Sequence, residues 1–426
     1  MEYVVIKDRE DEPKEMSRLI MGTDHLVQAD WTGKGEIEKT KREAIAVLDE
    51  ALRLGINVFD TAPIYVGGVE SIIGLWVASR EQQIQSNDFY TTEKLNPDRK
   101  IYVLSKGGFP FDLFDSKKMA PGTHSEALKV ALQTNKILSA DAKPQADGST
   151  LLHGVSAGTY ASQLFGSKDQ ITGRVKEELD KTLRKFIHDE ITIYLMHRDD
   201  ADYIKFDEVS REQVPVQTIM NALSADELSS KYRMIGWSNW QTARVDRSIE
   251  LAEQDSDLVK PAFNSPYFSL FEMSSRSIHA GGVQVTHEEM MDPDFQKGIM
   301  LMPYSPLGGF SILDKDAPSW EKARQHAKIK YLEGDPYWQN VYPAIFTDEN
   351  QARYDRVASF TAKYKSENGT KYTLDQMINA YAIAHERTDF LVIGPTTIDQ
   401  LELTVKSLEL AEDLKPTDLH YLYYGD

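Results

Sequence analysis

The chain contains no cysteine. That excludes disulfides, thiolate metal sites and a cysteine nucleophile. Long apolar runs are missing too: none approaches the roughly 18–20 residues that a membrane helix needs. Basic residues are in short supply. Lys and Arg number 48 against 67 Asp and Glu, a net charge of −19. A folded surface this acidic repels polyanions, so nucleic acid and anionic membrane are not expected partners. The N-terminus, Met1-Glu2-Tyr3-Val4-Val5-Ile6-Lys7-Asp8, lacks the basic stretch and apolar core of an export signal, so the cytoplasm is the expected compartment. Asn368-Gly369-Thr370 then reads as a turn rather than a glycosylation site. With 426 residues, 41% of them hydrophobic, the chain has ample material for one large core.

The apolar pattern alternates between two periods. Short β-forming runs are expected at Ser17–Thr23, Ile56–Phe59, Ile101–Ser105, Glu190–Met196, Arg233–Asn239, Val259–Phe263, Ile299–Tyr304 and Asp389–Ile393. Helical spacing is expected over residues 38–54, 70–83, 168–186, 212–231, 242–254, 350–367, 373–386 and 397–412. In the first of these, Ala44, Ile45, Leu48, Ala51 and Leu52 share one face, and Gly55 is the stop. Eight strands alternating with helices predict a single-domain (β/α)8 TIM barrel over residues 1–426. The excess over the ~250 residues usual for that fold falls in the loops after strands three, six and seven. The first is a long insert, residues 109–166, with a short helix expected near Ser125–Leu138; the second includes residues 273–298.

Three successive strands stop on ionisable residues. The second ends at Asp60, the third at Lys106 and the fourth at His197, and Tyr65 lies in the loop after the second. In a barrel of this kind catalytic groups project from strand C-termini. The set suits proton transfer by a phenol. A free phenol has a pKa of about 10, and a neighbouring ammonium is expected to lower it by favouring the phenolate. The carboxylate would hold the ammonium in place, and histidine would donate to a carbonyl oxygen. Such a site carries no hydride of its own, so a redox reaction there needs a cofactor.

The chain resembles the aldo-keto reductase superfamily, near bacterial general oxidoreductases and potassium-channel β subunits. The matching stretches are Phe59-Asp60-Thr61-Ala62-Pro63-Ile64-Tyr65, Leu104-Ser105-Lys106, Tyr194-Leu195-Met196-His197, Ile235-Gly236-Trp237-Ser238-Asn239, Tyr304-Ser305-Pro306-Leu307-Gly308-Gly309 and Ile393-Gly394-Pro395. The resemblance implies an NAD(P)H-dependent carbonyl reductase or alcohol dehydrogenase acting on a small aldehyde, ketone or sugar. By it Tyr65 is the general acid, Asp60 and Lys106 tune it, and His197 orients the carbonyl. Ser238, Asn239 and Asn264 would hold the nicotinamide carboxamide, Asn264 standing where relatives more often have glutamine. Tyr304 would stack on the ring, Ser305 to Gly309 would wrap the pyrophosphate, and Lys315 would meet the cofactor phosphates. Thr23 and Asp24 match the loop after the first strand. At the adenine end Gly394, Thr396 and Gln400 are implied, with Thr397 and Gln400 as a capping box. No cation lies between Arg387 and Lys406. NADP(H) is favoured, with NAD(H) the alternative. A redox-sensing binding subunit is the second functional class. A metal-dependent hydrolase is the third and weakest, and no metal is expected. Subunit number leaves no mark in the sequence.

Some signals are set aside. His197-Arg198-Asp199 looks like a kinase tripeptide, but Ile204 stands where asparagine is needed. His287-Glu288-Glu289 lacks the second histidine of a zinc helix. His153, His279 and His287 are expected at the surface or in the core rather than at the barrel mouth. Trp31, Trp237, Trp240 and Trp338 suit an open sugar-binding mouth or plain packing.

Overall fold

Strands that alternate with amphipathic helices pair in parallel, because each helix carries the chain back to the end where it began. The computed structural model describes residues 1–27, 37–63, 65, 69–80, 100–108, 118–119, 150–151, 164, 166–199, 214–274, 277–278, 282–308, 319–334, 336–364 and 369–425. Strands in chain order are β1 (Tyr3–Lys7), β2 (Pro13–Ser17), β3 (Leu19–Gly22), β4 (Val58–Asp60), β5 (Tyr102–Gly107), β6 (Lys118–Met119), β7 (Thr150–Leu151), β8 (Ile191–Met196), β9 (Tyr232–Ser238), β10 (Phe263–Ser265), β11 (Ser277–Ile278), β12 (Gly282–Val283), β13 (Met300–Leu301) and β14 (Leu391–Ile393). Eight of them form one sheet in the order β13-β10-β9-β8-β5-β4-β3-β14, all neighbours parallel. This is a (β/α)8 barrel.

The ring closes between β13 and β14 without a regular ladder. Pro303 has no N–H to give, and β13 stops two residues before it. Closure comes from Phe390 N–H to the Leu301 carbonyl at 3.0 Å and Val392 N–H to the Pro303 carbonyl at 2.9 Å. Asp389 adds a side-chain bond, accepting Leu301 N–H at 2.8 Å.

Two apolar layers result. Inside the ring lie Ile20, Val58, Leu104, Ile193, Leu195, Met234, Phe263, Met302 and Val392. The antiparallel pair β1–β2 adds Met16 to this lumen core, with Val4 and Ile6 packed against it. Between ring and helices lies the larger core, with Phe59, Tyr194, Trp237 and Leu301 among its members. Successive strand residues alternate between the two layers, as the pleat requires.

Several boundaries differ from expectation, each for a local reason. The predicted strand Ser17–Thr23 is two pieces, because Ser17 ends β2 and β3 starts at Leu19. The sixth strand starts at Phe263, two residues after Pro261. The predicted helix 212–231 is two helices, Val216–Leu223 and Asp226–Ser229. Ser224 breaks it: its Oγ donates to the Met220 carbonyl and accepts Val259 N–H, both at 2.8 Å. The last predicted helix is likewise two, Ile398–Val405 and Ser407–Asp413, and a further helix, Pro416–Tyr424, follows. Two helices in the loop after the seventh strand, Trp320–Leu332 and Pro336–Ile345, were not expected. By contrast Lys168–Phe186 and Thr242–Gln254 match to the residue. The helix expected near Ser125–Leu138 lies outside the described residues, as do Trp31, His153 and His279. Trp237 and Trp240 are packing residues, buried and 4.3 Å apart between ring centroids.

Candidate active site

The pleat decides which side chains reach the barrel mouth. A residue two places beyond a lumen residue faces the same way. Val58, Leu104 and Leu195 lie in the lumen. Asp60, Lys106 and His197 therefore face the axis one step above them. They are 4%, 4% and 5% exposed, so charge here is held away from water. Tyr65 is half-buried in the loop that follows β4.

The four meet. Lys106 Nζ donates to Tyr65 Oη at 2.7 Å, to the Thr61 carbonyl at 3.2 Å and to Asp60 Oδ1. Tyr65 Oη donates to Asp60 Oδ2 at 3.2 Å. The rings of Tyr65 and His197 stand edge to face, 6.2 Å between centroids. Burial sets the protonation. It pushes the Asp60 carboxyl up and the Lys106 ammonium down, while their mutual attraction opposes both shifts. Burial, then the positive charges of Arg198 and Lys106, hold His197 well below its usual value, so its ring is neutral. The expectation that the lysine lowers Tyr65 is corrected. Burial, then the Asp60 and Asp24 charges, raise the phenol well above its ordinary range against the opposing charge of Arg198. Tyr65 is thus held in its protonated form, with Lys106 Nζ beside its oxygen.

A second set adjoins the first. Asn239, in the left-handed region at φ 57°, joins three strand ends. Its Nδ2 donates to Ser238 Oγ at 2.9 Å and to the His197 carbonyl at 3.3 Å. Its Oδ1 accepts from Tyr304 Oη and from Val283 N–H. Both amide atoms are in use, so Asn239 must exchange a bond to hold a ligand. Ser238 Oγ donates to the Ser265 carbonyl at 3.2 Å. Tyr304 stands two places beyond the lumen residue Met302, and burial raises its phenol to about 12. The turn after it holds Ser305 at φ 57° and Gly308 at φ 87°, bridged by Gly308 N–H to the Ser305 carbonyl at 2.9 Å. Ser269 Oγ pins the Pro306 carbonyl at 2.8 Å, and Leu307 packs on the outer core.

The same rule overturns one expectation. Phe263 is a lumen residue, so Asn264 points away from the axis. It shares a level with Trp237 and Leu301, both in the outer core. Its Nδ2 donates to Gln296 Oε1 at 2.8 Å. Asn264 is not at the mouth. Ser265 is, and the signal that would have found it is its place two residues after Phe263.

The remaining residues ring the mouth or lie beyond description. Thr23 is buried and donates to the Asp60 carbonyl at 2.8 Å, which fixes the end of β4. Asp24 is exposed, yet its charge reaches Asp60, Tyr65 and Lys106. A Cβ on Gly394 would meet nothing within 4 Å. Thr397 caps its helix by accepting Gln400 N–H, but the reciprocal bond of the expected capping box goes elsewhere. Gln400 Oε1 accepts from Thr396 N–H at 2.9 Å and Thr396 Oγ1 at 3.0 Å. Gly309 and Lys315 are outside the described residues.

The signals set aside have structural roles. Asp199 is fully buried and takes Arg244 Nε at 2.9 Å and Gln241 N–H at 3.0 Å. Thr286 and Glu289 form the capping box of the short helix His287–Met291. Among the described residues no three His, Asp or Glu side chains are grouped so as to hold a metal ion, and no helix is long and apolar enough to cross a membrane.

Comparison with known proteins follows the same line. The model of the Aldo/keto reductase family matches residues 18–138 and 163–421. The interval it skips falls in the long loop after the third barrel strand. Among solved structures the chain is similar to the aldo-keto reductase AKR11C1 from Bacillus halodurans in its holo form, at 16% identity and a TM-score of 0.53, over 98% of this chain and 95% of that one. No curated protein matches.

Proposed function

Since the chain belongs to the aldo/keto reductase family, a family of oxidoreductases, we propose that it transfers hydride between a nicotinamide cofactor and the carbon of a small carbonyl or alcohol, with Tyr65 as general acid and base. The observation that carries this reading is the phenol held between ammonium and carboxylate, 2.7 Å from Lys106 Nζ and 3.2 Å from Asp60 Oδ2. A phenol so placed gives its proton to a carbonyl oxygen as that oxygen gains charge. The ammonium stabilises the phenolate left behind, and Asp60 keeps the ammonium oriented. Neutral His197 donates a hydrogen bond to the same oxygen and adds no charge that would compete with Lys106.

The residues present fit a nicotinamide dinucleotide. When bound, that group supplies the hydride. Ser238 offers a hydroxyl at the strand end, and Tyr304 offers a ring face beside it. Ser305, Pro306, Leu307 and Gly308 form a tight turn whose two left-handed positions, Ser305 and Gly308, would let its backbone approach a pyrophosphate closely. Gly394, Thr396 and Gln400 edge the N-terminus of the helix Ile398–Val405, whose dipole suits a phosphate. Thr23 and Asp24 would border the nicotinamide side. NADP(H) is the form favoured, because the family resemblance matches Lys315 to a lysine that meets the cofactor phosphates.

Fluorescence titration with NADPH and NADH tests the cofactor, and an aldehyde, ketone and sugar panel on the preferred form tests the reaction. Wild type and Tyr65→Phe should bind nucleotide alike, and only wild type should turn over. Failure of both nucleotides to bind, or full activity in Tyr65→Phe, would sink the reading.

A further inference from the structure

Lys106 faces the lumen from β5, so Ser105 and Gly107 face the helix Lys168–Phe186 on the other side. Two buried carboxylates meet them there. Glu70 accepts from Ser105 Oγ at 2.8 Å and Thr182 Oγ1 at 3.0 Å, and pairs with Lys185. Glu178, 1% exposed, accepts the backbone N–H of Gly108 at 3.0 Å.

That bond lies where the sheet runs out. The β5–β8 ladder ends with Gly107 opposite Met196. Gly108, at φ 70°, takes its acceptor from a side chain instead of a strand. Gly107 is wedged beneath it: a Cβ there would stand 1.8 Å from Tyr194 Oη and 2.8 Å from Glu178 Oε2. The Gly107 carbonyl in turn accepts the backbone N–H of His197 at 2.6 Å. One short backbone segment therefore carries Lys106 directly and His197 through a hydrogen bond, and Glu178 clamps its far end. Burial, with the Glu70 charge adding to it, pushes the Glu178 carboxyl well above the usual range. Glutamine is then its near-isostere, with the same carbonyl acceptor.

We propose that Glu178 is a positioning residue, whose hold on the Gly108 N–H sets the end of β5 and with it the placement of Lys106 and His197 around Tyr65. The proposal rests on the oxidoreductase reading above. Its test compares wild type with Glu178→Gln, Glu178→Asp and Glu178→Met. Aspartate withdraws the acceptor by one methylene and keeps the site polar, so it serves if the methionine variant does not fold.

Glu178→Gln should keep kcat within about threefold, while Asp and Met should lose on the order of 10²-fold, the scale of a ~1 Å misplacement. The dissociation constant for the nucleotide should stay within about twofold in all four, since the lost term is one made in the transition state. Hydrogen exchange at the Gly108 amide should quicken in Asp and Met and not in Gln. A merely structural role would lower the melting temperature and leave kcat of the folded protein alone. Unchanged kcat in folded Asp or Met variants would overturn the proposal, as would a Gln variant as slow as Met. Should wild type turn over no carbonyl, the oxidoreductase reading fails. Exchange at Gly108, which needs no substrate, then judges the clamp by itself: unchanged protection in Asp or Met overturns it.

Discussion

Two parts of the molecule bury tyrosine beside histidine, and only one of them looks able to do chemistry. At the barrel mouth Tyr65 and His197 share their space with an ion pair. On the flank His287 Nδ1 lies 2.7 Å from Tyr381 Oη and 2.9 Å from His385 Nε2, and its ring stacks on Tyr423 at 4.4 Å. His385 Nδ1 faces the Tyr381 carbonyl at 2.7 Å, so it carries the hydrogen; Nε2 accepts, and His287 Nδ1 donates. Burial lowers His287 to about 4 and His385 to about 3. A surface cavity even opens beside His287, shared with His420 and Tyr424. Burial has shifted both clusters. The difference is that the flank cluster satisfies itself with neutral rings, while the mouth keeps a buried ion pair on strand ends.

The largest expected effect separates the two clusters by activity. Tyr65→Phe should reduce turnover by about 10²–10⁴-fold, the usual worth of a positioned general acid. The difference in ultraviolet absorbance between wild type and this variant should show no tyrosinate from Tyr65 below pH ~10, because the environment raises its pKa above the ordinary phenol value. Ionisation below that pH would contradict the buried-acid picture.

Lys106→Met should come next. It strands Asp60 in the lumen, and breaking a buried pair from one side costs about 3–5 kcal/mol. Denaturant unfolding measures the loss, and turnover should fall with it. If stability is unchanged, the ion pair is not the feature that distinguishes the mouth.

His385→Leu should do the reverse: turnover unchanged, stability lower by about 1–3 kcal/mol at pH 7 through the unmatched His287 donor. The pH dependence has a definite sign. The folded state keeps His385 neutral, whereas the unfolded chain protonates below about 6.5. Its contribution is complete above that pH and is lost as pH falls toward about 3. Between pH 7 and 5 the wild type should therefore give up about 2 kcal/mol more than the variant. A gap that widens on acidification would refute the neutral assignment.

The smallest effect tests the pleat. Asn264→Ala should leave nucleotide affinity within about twofold and cost about 1–3 kcal/mol of stability, because Gln296 loses its buried partner. A marked loss of affinity would return Asn264 to the mouth.

These cases show what the sequence made legible. Asp60, Lys106 and His197 could be found because each ends an apolar run, and a charge at that point has nowhere to go but the mouth. The barrel followed from eight such runs between helical stretches. Asn264 was misplaced because barrel strands are apolar on both faces, so no polar alternation marks which residue looks inward. The helix Trp320–Leu332 was missed because only Trp320 and Ala327 on it are buried, which leaves little apolar period to read. The split at Ser224 depends on a bond to Val259, far along the chain, that no local pattern encodes. The direction of the Tyr65 shift needed the depth of burial, which spacing does not give.

The seam at Pro303 has a mechanical meaning. A barrel is a hoop, and a hoop under strain parts at its weakest join. Here that join is two backbone bonds, one carboxylate and the Arg387 guanidinium on the Ile299 carbonyl, and it runs up to Tyr304 and the turn behind it. The turn and the join share one stretch of backbone, so a shift in either is carried into the other.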